Sequence, residues 1–165
     1  MVVVSVAIGV AVLTHLLSTS PKAAPNYINL EELDCMAKNI YFEARNEATV
    51  GQLAVGQTVI NRVQSSRFPN TICGVVHQGV HTKDGFPLKN RCHFSWYCDG
   101  FHDEPRKNSR SWYRSVELAQ IMLINKQWMI DVIDGATHYH ADYVDPKWNR
   151  EKRMVVRIGS HLFYR

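Results

Sequence analysis

Two helical patterns follow one another between residues 29 and 64, and the second is apolar on almost every side, so the rest of the chain must bury it. Asn29, with Glu32 three positions on, has the form of a capping box, and Leu30, Leu33, Ala37, Ile40 and Ala44 then recur at helical spacing. Thr49 with Gln52 is a second start signal, followed by Val50, Leu53, Ala54, Val55, Val59, Ile60 and Val63.

Glu43 falls in the last turn of the first helix, beside Tyr41, Phe42 and Ala44. Burial and the negative end of a helix both disfavour a charged carboxylate. Glu43 is therefore expected to stay protonated near neutral pH and to serve as a general acid, the first requirement for glycosidic cleavage. Glu47 lies in the joint between the helices, where the N-terminus of the second favours the charged form. The alternative for Glu43 is a surface ion pair with Arg45 or another base.

The chain has 165 residues, 45% hydrophobic and 10% aromatic, enough for one domain with a real core. A formal charge of +4 favours an anionic polymer such as a cell wall. With no Lys/Arg run and no nucleic-acid motif, nucleic acid is not an expected partner. The basic side chains gathered in residues 106–114 and 147–157 read as solvated faces. Nothing points to an oligomer or a small-molecule cofactor, so a monomer without cofactor is expected.

Residues 1–17 read as a signal or anchor segment and 18–28 as a Ser/Pro/Ala-rich linker, and 29–165 are expected to form the catalytic domain. The uncharged run from residue 2 to 17 would span roughly 24 Å as a helix, short of the roughly 30 Å hydrocarbon core, so its hold on a bilayer is marginal. No basic region precedes it and no clear cleavage site follows. Such a weak, uncleaved segment resembles the signal-arrest-release anchors of phage lysis enzymes. It implies export to the periplasm or cell envelope, with initial tethering to the inner membrane. An atypical signal peptide and a plain anchor are the alternatives.

Four cysteines agree with export: Cys35, Cys73, Cys92 and Cys98 allow three full pairings. The near pair Cys92–Cys98 would bracket a small aromatic loop and leave Cys35 to meet Cys73. Neither Cys-x-x-Cys nor zinc-finger spacing is present.

Further along, residues 66–70 read as a turn, 71–77 as a short helix, and 77–91, rich in Gly, Pro, Asp and Lys, as a loop. A helix is expected from Ser109 or Ser111 to Asn125, packed on the first two. Residues 136–141 are a strand candidate. Residues 154–158 and 161–164 flank Gly159-Ser160, a two-residue hairpin signal.

These residues carry a resemblance. Tyr41-Phe42-Glu43-Ala44-Arg45, Gly51-Gln52-Leu53-Ala54-Val55, Asn61-Arg62-Val63, Phe68-Pro69-Asn70-Thr71, Cys73-Gly74-Val75-Val76, Phe94-Ser95-Trp96 and Ala136-Thr137-His138-Tyr139 follow one another as in the spore cortex-lytic family of cell wall hydrolases. The resemblance implies a lysozyme-like, mostly helical α+β domain with a small C-terminal β-hairpin region. It also implies cleavage of peptidoglycan between N-acetylmuramic acid and N-acetylglucosamine, with Glu43 as the acid. Asn46 stands where the family often has Gly, and tolerates a left-handed helix end. His93 stands where relatives often have Gln.

The second carboxylate that a hydrolase requires is not marked by pattern, although Glu47, Asp84, Asp99 and Asp142 are available. A lytic transglycosylase needs none, because the muramic 6-hydroxyl attacks within the substrate and one glutamate acts as acid, then base. The family resemblance favours that route. Tyr139, Trp96 and Phe94 are candidates to stack on sugars or brace the cationic intermediate, and Ser95 to hydrogen-bond an N-acetyl group; each aromatic reads equally well as core. A chemically different reading takes His138 and His140, two apart on a strand, with His93 or His102 as zinc ligands of an amidase. A non-catalytic peptidoglycan-binding module is a further alternative.

Overall fold

The computed structural model describes residues 27–126 and 128–165. The expected anchor, and all but the last two residues of the expected linker, lie outside them. No helix among the described residues is long and apolar enough to cross a membrane.

Helix α1 (Leu30–Ala44) is capped by Asn29, whose side chain accepts from the Glu31 and Glu32 amides. The capping box itself does not close. The Glu32 carboxylate instead accepts from the amides of Ile72 and Cys73, satisfying the start of the short helix α3 (Ile72–Val76), with Thr71 at its N-cap. The disulfide Cys35–Cys73 fastens the same two helices.

The N-cap of helix α2 (Thr49–Gln64) is Ala48, one residue before the expected Thr49, and it makes no side-chain cap. Thr49 lies inside the helix and accepts from Arg114, while the Gln52 amide reaches back to the Glu47 carbonyl. Val55, Val59 and Ile60 are fully enclosed, as an all-round apolar helix requires. Helix α4 (Arg110–Ile124), capped by Ser109, packs against α1 and α2. Gly56 permits that crossing, since a β-carbon there would lie 2.6 Å from the Met122 sulfur.

Residues 77–91 are not a plain loop. Strands β1 (Gly79–His81) and β2 (Pro87–Cys92) pair as an antiparallel hairpin, turned at Gly85 with φ +84°. Both strands are largely exposed, so the alternating apolar pattern that would have revealed them is missing. The Cys92–Cys98 disulfide ties β2 to the 3-10 turn Ser95–Cys98. Both expected disulfides are present.

The C-terminal region is a three-stranded antiparallel sheet in the order β3 (His138–Ala141), β5 (His161–Tyr164), β4 (Met154–Ile158). The β4–β5 hairpin turns at Gly159-Ser160, as its residues foretold. Ala44, Ala54, Val55, Ile133, Ala136 and Phe163 form an apolar cluster joining α1 and α2 to this sheet. A larger cluster lies among the four helices and the 3-10 turn.

Candidate active site

The penultimate residue of α1 is Glu43, so its carboxyl group stands where the helix carbonyls converge. It opens into a groove of about 490 Å³, whose wall includes Phe42, Ser95, Asp99, Tyr139 and His161. The Tyr139 hydroxyl donates to Glu43 Oε2 at 2.9 Å. Burial pushes the Glu43 carboxyl above the ordinary 4.5, while the Tyr139 hydrogen bond and the Arg62 charge pull in the opposite direction. Burial wins, which is the condition for a stored proton. No carboxylate–cation pair forms at Glu43, so the surface ion-pair alternative is absent among the described residues.

The polar side of α2 delivers Tyr139. Asn61 donates to the Ala136 carbonyl at 3.1 Å and Arg62 Nε to the Thr137 carbonyl at 2.7 Å, which pins the chain entering β3. His161, on the neighbouring strand β5, meets the Tyr139 ring edge to face at 5.1 Å. Burial lowers the affinity of His161 for a proton, so a neutral ring braces the phenol.

The expected sugar-contact residues divide. Tyr139 and Ser95 line the groove. Phe94 does not: it is 2% exposed, with the Arg62 guanidinium 4.9 Å above its ring, so no sugar can stack on it. Trp96 reaches the groove only at its margin, because Phe42 stacks on it at 4.8 Å and its indole nitrogen donates to the buried Asn39. Phe42 itself faces the groove.

Of the other carboxylates, Asp99 shares the groove with Glu43. Glu47 is turned away into a clasp, accepting from the Ser160 hydroxyl and lying 3.9 Å from His161 Nδ1. Asp142 pairs with Arg157, and Asp84 belongs to the hairpin turn. Asn46 keeps a negative φ, so the helix end is not left-handed. His138 and His140 both flank Trp148 at 5.5 Å, but His140 spends its nitrogens on the Ala141 carbonyl and the Tyr164 hydroxyl. No group of three His, Cys, Asp or Glu side chains gathers among the described residues, so the zinc reading lacks its third ligand.

Sequence reasoning missed Arg62, Phe42 and His161. Arg62 stands in the Asn61-Arg62-Val63 run with no role assigned from sequence, and only 6% of it is exposed. A second lobe of about 420 Å³ adjoins the groove through the shared His93 and Tyr139, and its wall includes Arg62, His138, Trp148 and Lys152.

The profile of the cell wall hydrolase family matches residues 46–164. The chain belongs to that family. The match begins three residues beyond Glu43, so the case for this residue rests on the geometry above. Among relatives, the family member is 37% identical over 141 residues to a spore cortex-lytic enzyme of Oceanobacillus iheyensis, and 31% identical over 134 residues to one of Halalkalibacterium halodurans. Those alignments cover 84% and 80% of this chain but 43% and 34% of the relatives. The chain thus spans less than half the length of these relatives. It also superposes on the catalytic domain of the germination-specific lytic transglycosylase SleB from Bacillus anthracis, with a TM-score of 0.61 and 27% identity. That match covers 86% of this chain and 100% of that domain. The mostly helical α+β, lysozyme-like class expected from the sequence is therefore the one adopted.

Proposed function

We propose that this chain cleaves the glycan strand of peptidoglycan between N-acetylmuramic acid and N-acetylglucosamine as a lytic transglycosylase, releasing 1,6-anhydromuramoyl products. The observation that carries the reading is the Glu43 carboxyl, held up in proton affinity by burial yet open to a groove. The superposition on a lytic transglycosylase catalytic domain supports it.

Glu43, in its protonated form, gives its proton to the glycosidic oxygen as the bond to muramic C1 breaks. The N-acetylglucosamine leaves as an alcohol, and positive charge spreads over the muramic ring. Glu43 is now a carboxylate, favoured by the Tyr139 hydroxyl and the Arg62 charge. It takes the proton from the muramic 6-hydroxyl as that oxygen closes on C1. No water is consumed, and Glu43 ends as it began. A single carboxyl does both proton transfers.

In this reading Ser95 and Asp99, which line the same groove, meet the polar groups of the sugars, and Phe42 supplies an apolar surface. The wall substrate implies action outside the cytoplasm. Tethering to the inner membrane, and a role in phage lysis rather than wall turnover, are supported only by the uncharged run of residues 2–17.

The test is mass spectrometry of products from purified peptidoglycan. Anhydromuropeptides are expected from the wild type, with and without chelator, and from Asp99→Asn. Glu43→Gln should lower their rate by roughly 10²- to 10⁴-fold. Reducing-end products that vanish in Asp99→Asn would make the chain a two-carboxylate hydrolase instead.

A further inference from the structure

The lobe beside the groove is built from cations and aromatics. Arg62, Lys152, His93, His138 and Trp148 contribute to its wall, and no carboxylate does. Arg62 has no carboxylate within ion-pair distance among the described residues, and its Nη1 is buried without a hydrogen-bond partner. The acidic group that acts most on Arg62 from nearby, apart from Tyr139, is Glu43. While Glu43 holds its proton, that compensation is missing, and a buried charge without a counter-charge is costly. The surroundings report the same excess: burial, then Lys152, Arg62, Arg67 and His93, push His138 down to about 4. Two other basic side chains of the C-terminal region are already engaged: Arg157 with Asp142, and Arg150 with Asp145. Lys152 has no such partner among the described residues.

We infer that this lobe is a subsite for a carboxylate of the peptide stem carried by the muramic residue whose linkage lies at Glu43. The inference rests on the proposed function and adds a substrate preference to it. The stem leaves the muramic ring two positions from the scissile carbon, so a ring held at Glu43 sends its stem into the neighbouring space. Tyr139 and His93 belong to both lobes and make them parts of one site. Lys152 offers the ammonium, Arg62 a fixed charge in the same wall, and Trp148 an apolar face for the stem's alkyl portion. The bound carboxylate would replace the counter-charge that protonated Glu43 withholds.

The experiment compares kcat/KM on intact peptidoglycan strands with kcat/KM on the same strands whose stem carboxylates have been converted to primary amides by a carbodiimide and ammonia. The wild type should prefer intact strands by about tenfold, the worth of one charge-assisted hydrogen bond. Lys152→Glu should bring the ratio close to one by raising KM on intact strands. Arg110→Glu makes the same charge change in a separate basic hollow with Arg45 and Arg114, and should keep the wild-type ratio. Equal rates of wild type on both substrates would remove the subsite and leave the glycan-cutting function standing. Loss of the preference in Arg110→Glu as much as in Lys152→Glu would also overturn it. No product from either substrate would overturn function and subsite together.

Discussion

At the scale of single residues, the site is a contest over one proton. Burial holds it on Glu43, while Tyr139 and Arg62 favour its departure. Tyr139→Phe removes a donor that prefers the charged form, so the Glu43 carboxyl should rise further. Because the first step of the proposed mechanism needs the acid protonated, the alkaline limb of the pH–rate profile should move to higher pH. kcat should meanwhile fall roughly 10-fold, for want of the bond that steadies the carboxylate intermediate. A limb that stays in place would show that Tyr139 does not govern the acid. The same proton affects stability. A carboxyl with a folded-state value above its unfolded one binds more protons when folded, so it detracts from stability as pH rises past 4.5. Glu43→Gln should therefore raise the melting temperature at pH 7, with the gain shrinking toward zero as pH falls below 4.5. A gain that is constant with pH would contradict that assignment. Such an exchange of stability for function is common where a site must hold an ill-favoured group.

Among the elements, the two disulfides do different work. Cys35–Cys73 spans 38 positions and staples α1 to α3, away from the groove, whereas Cys92–Cys98 spans 6 and shapes the wall that carries Ser95 and Trp96. Chain-entropy reasoning makes the longer loop worth about 4 kcal/mol and the shorter about 2 kcal/mol. Replacing Cys35 and Cys73 by Ser should lower stability more, and replacing Cys92 and Cys98 should lower activity more. Denaturant titration beside product assays separates the two. The elements also show what could be read beforehand. Asn29, Thr71 and Ser109 are caps whose side chains bond where their chemistry says they should, so α1, α3 and α4 were legible. The β1–β2 hairpin was not, because neither strand buries a face and only the turn at Gly85 marks it. Glu32 was misread for a simple reason. A carboxylate three residues into a helix can turn back to its own cap or across to another helix start, and spacing along the chain does not say which.

Across the whole molecule, a polar clasp adds to the apolar cluster that joins the helices to the sheet. The Ser160 hydroxyl and amide both donate to Glu47, so the α1–α2 joint is fastened to the turn of the last hairpin. Gly159 makes the approach possible: its φ is +58°, and a β-carbon there would lie 1.9 Å from Glu47 Oε2. Gly159→Ala should cost more than about 1 kcal/mol in a single cooperative transition, read by heat or denaturant. An unchanged midpoint would mean that the clasp carries no weight. The helix-end setting and raised proton affinity of Glu43 were legible because what tunes them first, the helix end and its aromatic neighbours, is local. Arg62, Lys152 and His161 were not, since their meaning depends on which distant strand lies against them. Tyr139 entered as a possible sugar platform, and only the fold turned it into the partner of the acid.

The bond between Glu43 and Tyr139 joins residues 96 positions apart. A ribosome therefore delivers the acid long before its hydroxyl partner, and β5, which flanks Tyr139 in the sheet, comes later still. A half-made chain owns the reactive carboxyl without a groove to work in. On the proposed function, competence waits for β3 and β5, so the growing polypeptide is inert until both strands are laid down.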